Sequence, residues 1–194
     1  MFKNMLRYFD FRYYLRFAGL FFLFYLSYTF VIAAAAPTGT YYPFVDKFLN
    51  FPLVVRYCVL HTGQLLLTLF GYATSIEGGR IISRDGYSML EMAWPCYGLG
   101  VKSFWIAFVC AHQMVPKEKI YWSVAGVLVI FVLNCIRVMV MMIAMVEKWA
   151  IAEYLGINAH DLFNYLCYAA LLGLILFFYS KNKQPKYPLP VAQL

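Results

Sequence analysis

The sequence predicts an all-α fold, a polytopic transmembrane helix bundle with a short extracytoplasmic hairpin-like insert. Three observations predict it. Hydrophobic residues make up 63% of the 194, only 13% are charged, and the mean hydropathy is +0.68. A chain this short buries too little of its surface to hide so much apolar material from water. The apolar residues also fall in runs of membrane-spanning length, and the basic residues flank those runs. This composition excludes a water-soluble enzyme, a disordered chain and a nucleic-acid-binding module.

The elements follow in chain order as a single domain. Residues 1–16 are basic and aromatic, with Phe2, Leu6, Phe9, Tyr13 and Phe17 recurring every three or four positions. That pattern predicts a short amphipathic segment on the cytoplasmic membrane surface. Residues 17–36 carry no charge, and twenty residues make a helix of about 30 Å, the thickness of the hydrocarbon core. This run reads as a retained anchor, because the Pro37-Thr38-Gly39-Thr40 sequence that follows is a poor signal-peptide cleavage site.

Residues 43–73 mix Asp46, Lys47, Arg56, His61 and Gln64 with Leu and Phe, and are read as an interfacial or re-entrant helix. The polar stretch after it holds Gly78-Gly79 and Asp85-Gly86, turn signals around a small hairpin at Arg80–Ser83. Three further spans are expected at 98–115, 119–146 and 162–180. The tail, 181–194, is basic and proline-containing. Basic residues at both ends place both termini in the cytoplasm, which calls for an even number of crossings; four satisfy it. The net charge of +7 is thus topological information about a lipid bilayer, not a footprint for nucleic acid.

Four crossings bring three unusual residues to one depth. Cys96 immediately precedes the span that descends from the outer face. Arg137 lies 18 residues beyond Lys119, about 27 Å up the next helix. His160 opens the last descending span. Pro95 suits a helix start, where free N–H groups favour a thiolate at Cys96. Arg137 keeps its charge and can stabilise a thiolate or an oxyanion. His160 can exchange a proton near neutral pH. Gly98, with Gly100, lets a substrate backbone approach closely. Asn134 is one turn before Arg137 on the same face and is placed either to orient its guanidinium or to make a polar contact between helices.

Each of these residues also has a plain reading. A cysteine in an apolar chain is usually packing, and a histidine at a helix mouth is usually a surface group. An arginine inside a span is costly and commonly functional. Lys102 is read as snorkelling to the outer surface, and His112 as lying at the opposite end from Cys96. The five cysteines, Cys58, Cys96, Cys110, Cys135 and Cys167, are odd in number and form no CxxC, so neither a zinc site nor a disulfide framework is expected, and no cofactor.

The order Leu69-Phe70-Gly71, short insert, Cys96-Tyr97-Gly98-Leu99, Asn134-Cys135-Ile136-Arg137 and then His160 resembles the exosortase/archaeosortase family. The resemblance covers roughly residues 65–172. It departs where the family commonly has Ser after the cysteine and this chain has Tyr97, and many members have more amino-terminal spans. The resemblance implies a membrane-embedded cysteine protease or transpeptidase with Cys96, Arg137 and His160 as its catalytic residues. Its partners would be secreted proteins that end in a short motif, a hydrophobic helix and a basic cluster. The alternative from the residues alone is a non-enzymatic membrane scaffold in which Arg137 pairs with an acid of a partner.

Overall fold

A computed structural model describes residues 11–36, 41–149 and 159–182, without the side chains of Pro95 and 159–163. The amino-terminal ten residues and the tail from 183, for which a surface segment and a cytoplasmic tail are expected, lie outside the described residues. Helix α1 (Phe11–Ala35) begins six residues before the expected span and stops ahead of Pro37, since the residue before a proline is driven out of helical conformation. The 43–73 segment resolves into two helices. A single turn and a half, α2 (Pro43–Phe48), leads to α3 (Phe51–Leu69). Asn50 caps α3 by accepting the Leu53 N–H at 3.2 Å, with Pro52 in the first turn.

The expected hairpin is a three-stranded antiparallel sheet. Strands β1 (Thr74–Glu77), β2 (Arg80–Ser83) and β3 (Met89–Glu91) lie in that order, with Ile81 opposite both Ile76 and Leu90. The third strand escapes sequence reading because three residues are too few to show alternation. Ile81 is fully buried and anchors the sheet to the body of the molecule. Gly78 and Gly79 both have positive φ, which the tight β1–β2 turn requires. Arg56 of α3 donates to the Gly79 carbonyl at 2.9 Å.

A 3₁₀ turn (Trp94–Tyr97) follows, and Gly98 at φ +66° reverses the chain into α4 (Leu99–Ala111). The expected span 98–115 is therefore shorter, 13 residues of helix. His112 already has extended backbone, and Val115 precedes Pro116 and is kept from helical geometry for the same reason. Pro116 instead occupies the first turn of α5 (Pro116–Val146), which starts three residues before the expected Lys119 and has 31 residues. Helix α6 (Ala159–Lys181) completes the chain.

Four helices, α1, α3, α5 and the Asn164–Lys181 stretch of α6, are long and apolar enough to cross a membrane. Their outward faces agree. Phe22, Leu26 and Phe30 of α1, and Ile120, Val124 and Leu128 of α5, recur at helical spacing and are exposed. Apolar stripes of this kind need a lipid solvent. The chain is thus a multi-pass membrane protein in its architecture.

Helix α5 is the shared element. Its first half packs antiparallel to α4, which packs antiparallel to α1: Tyr13 meets His112 at 4.8 Å between ring centroids and Phe17 meets Phe104 at 5.3 Å. We call the end marked by Tyr13 and His112 the near end. Trp105 is fully buried there, stacked edge-on against Phe178 of α6, and donates to the Trp122 carbonyl at 2.9 Å. The second half of α5 leaves α4 behind and packs parallel to α3. Gly63 abuts Val138, and Tyr72 just after α3 donates its hydroxyl to Glu147 at 3.0 Å. Two apolar clusters result. One centres on Trp105, Phe108 and Phe178; the other joins α3, the sheet and the far half of α5 through Val59, Leu67, Ile81, Val138 and Met142.

Candidate functional site

The 3₁₀ turn lies where the two clusters adjoin. Three consecutive residues of the chain, 96 to 98, each meet a different polar side chain. The Cys96 thiol, partly exposed, is 3.9 Å from Nη2 of Arg137. The Tyr97 carbonyl accepts from Nζ of Lys102 at 3.0 Å. Gly98 packs against the amide of Asn134, so closely that a Cβ at position 98 would collide with it. Cys96 and Arg137 are 41 residues apart in the chain. Their meeting follows from two antiparallel helices that start from the same short connection.

The reason the turn folds as it does is local. Pro95 sets φ for the first turn, the Cys96 N–H donates to the Ala93 carbonyl at 2.9 Å, and Gly98 supplies the left-handed residue that ends it. Cys96 therefore stands two residues before the cap of α4 rather than in its first turn, and the group that faces its sulfur is the guanidinium. Behind the turn, Tyr97 is buried; that burial pushes its phenol up, and the nearby Arg56 guanidinium pulls against the shift.

Two of the expected positions behave differently from the sequence reading. Asn134 is buried, but its amide nitrogen has no hydrogen-bond partner. It packs against Gly98, while Arg137, one helical turn on, reaches Cys96. Lys102 does not snorkel. It is 7% exposed, with its ammonium against the Tyr97 carbonyl and 5.9 Å from the Phe131 ring centre. The signal was available: a cation in the first turn of a helix opposes the helix dipole, so something other than the helix must hold it there. His160 falls in the first turn of α6, and its side chain lies outside the described residues. Cys167, two turns further on, lines a void of about 30 Å³ with Asn134, Val101 and Leu174.

On the other side of the turn, Trp94 and Tyr97 border an open cavity of about 200 Å³ lined also by Ile32 of α1 and by Asn50, Leu53 and Arg56. By sequence Arg56 was only one of the polar residues scattered through the 43–73 segment; its role in pinning the sheet was not legible. Among the described residues no group of three or more His, Cys, Asp or Glu is placed to hold a metal ion. Chemically, the arrangement offers a thiol beside a fixed cation, a buried amide donor without a partner, and an adjoining cavity. No family model, no curated protein and no solved structure matches the chain.

Proposed function

We propose that this chain is a membrane-embedded cysteine protease or transpeptidase of the exosortase type, acting on the carboxy-terminal sorting signal of secreted proteins at the extracytoplasmic face of a cell membrane. The observation that carries this reading is the Cys96–Arg137 approach of 3.9 Å between two separate elements. Supporting it are the order of motifs along the chain and the opening of the last helix at His160.

The reaction runs in two steps. Cys96 as thiolate attacks the scissile carbonyl, forming a C–S bond and a tetrahedral oxyanion that Arg137 stabilises. His160 gives a proton to the departing amine as the C–N bond breaks, which leaves a thioester on Cys96. An amine acceptor or water then attacks the thioester and returns the thiol. The substrate's hydrophobic tail lies beside the bundle, and residues next to the scissile bond use the cavity bordered by Trp94, Tyr97 and Arg56.

The test is co-expression with a secreted protein ending in motif, apolar helix and basic cluster. Cys96→Ala, Arg137→Ala and His160→Ala are each expected to leave that protein full length, and hydroxylamine is expected to release a trapped product from the wild type. Unimpaired cleavage by Cys96→Ala, with assembly lost only in Arg137→Ala, would establish the scaffold reading instead.

A further inference from the structure

We infer that Lys102 is a positioning residue for the nucleophile: its ammonium, through the Tyr97 carbonyl, holds the 3₁₀ turn in the pose that keeps the Cys96 thiol against Arg137. The inference rests on the reading of Cys96 as the nucleophile. A lysine buried at membrane depth is expensive, and such residues are normally paired or functional. Lys102 is 7% exposed, and among the described residues its Nζ has no carboxylate partner. Among the described residues its one hydrogen bond is to the Tyr97 carbonyl, 3.0 Å long.

That carbonyl has need of it. The first backbone bond of α4 runs from the Lys102 N–H to the Gly98 carbonyl, one residue later. The left-handed turn at Gly98 thus leaves the Tyr97 carbonyl outside the helix ladder, next to a buried side chain. A buried carbonyl without a donor is strongly disfavoured. Only a long side chain rooted one turn into α4 reaches back to it, and the ammonium is the donor that does so. The adjacent residue in the same turn carries the thiol that meets Arg137. Releasing the Tyr97 carbonyl therefore frees the turn to rotate, and the contact with Arg137 is the first to be lost.

The experiment needs no substrate. The full-length protein in detergent is treated with iodoacetamide, and alkylation of the peptide containing Cys96 is followed by mass spectrometry, with Tm as the check on folding. Arg137→Ala and Lys102→Met are each expected to slow Cys96 alkylation several-fold at neutral pH. The double variant is expected to be no slower than Arg137→Ala alone, since both act through one contact. Should Lys102→Met not fold, Lys102→Gln removes the charge while keeping most of the length, and the same non-additivity is expected of it. A wild-type alkylation rate in the folded lysine variant, or independent multiplication of the two effects, would overturn the inference. If Lys102 passes this test while the wild type cleaves nothing, the transpeptidase reading fails and the positioning role stands. If cleavage needs Cys96 but is indifferent to Lys102, the reverse holds.

Discussion

The near end of the bundle and the region around the 3₁₀ turn bury polar groups in opposite ways. At the near end they are satisfied. Trp105 donates to the Trp122 carbonyl, Lys119 to the Cys110 carbonyl at 2.8 Å, and His112 sits 2.7 Å from the Phe108 carbonyl and 3.3 Å from the Tyr179 hydroxyl. Beyond Gly98 the pattern changes. Among the described residues, the buried side-chain atoms without a partner, Asn134 Nδ2, Arg56 Nε and Thr74 Oγ1, all belong to the far half. A saturated network rigidifies and specifies packing; an unpartnered buried donor such as Asn134 Nδ2, packed against the turn that carries Cys96, calls for another explanation, which the proposed function supplies.

The widest separation between the two is expected from removing one key side chain in each. Trp105→Ala empties the centre of the near cluster and should cost about 3–5 kcal/mol, seen as failure to accumulate in membranes or a collapsed Tm. Cys96→Ala should leave Tm within the scatter of the wild type and abolish substrate cleavage. Equal stability losses would erase the distinction.

Two glycines offer a finer comparison. A Cβ at Gly126 meets the Trp105 indole, so Gly126→Ala is expected to cost about 1–3 kcal/mol by overpacking while Cys96 alkylates at its usual rate. Gly98→Ala puts a side chain at φ +66°, a left-handed conformation costing about 1–2 kcal/mol, and drives it into Asn134. Here the alkylation rate should change together with Tm. A change of rate in both variants would mean that the two regions are mechanically one.

Asn134→Leu tests the leftover donor directly. Replacing an unsatisfied buried amide with an apolar group of similar size should hold or raise stability, by up to about 1–3 kcal/mol, while slowing cleavage. A destabilised Asn134→Leu would show that the amide is bonded after all. The smallest effect belongs to the sheet. Asp85 accepts from the Ser83 hydroxyl and from the Tyr87 N–H, which hold its carboxyl below the ordinary value of 3.8. A lowered folded-state value means that its contribution is complete above 3.8 and fades as pH falls through the folded value. Exchange of the Tyr87 amide should therefore quicken only in strong acid, with no change at Trp105.

Much of this architecture was legible because lipid imposes a simple code. Uncharged runs became helices, and rise per residue was enough to put Cys96 and Arg137 at one level. What escaped shares a cause. Hydropathy counts charges but does not see their partners. Lys102 therefore looked like a group seeking solvent when it is tied to Tyr97, and the tie of Arg56 to Gly79 went unseen. Those partners are backbone carbonyls, which carry no signature in sequence. The length of α4 was overestimated because His112, Gln113, Met114 and Val115 carry no formal charge to end the run before Pro116, and only the backbone shows that they lie outside the helix.

The mismatch between α4 and α5 has a last consequence. Thirteen residues rise about 20 Å, and 31 rise about 46 Å. With both starting from the same short connection, the shorter column stops partway and the taller continues, flanked by α3. The thiol thus rests on a ledge at roughly two-thirds of the taller column's height, not on its summit. Whatever approaches the thiol must draw alongside that wall, and how deep the berth lies is decided by where one glycine begins a helix.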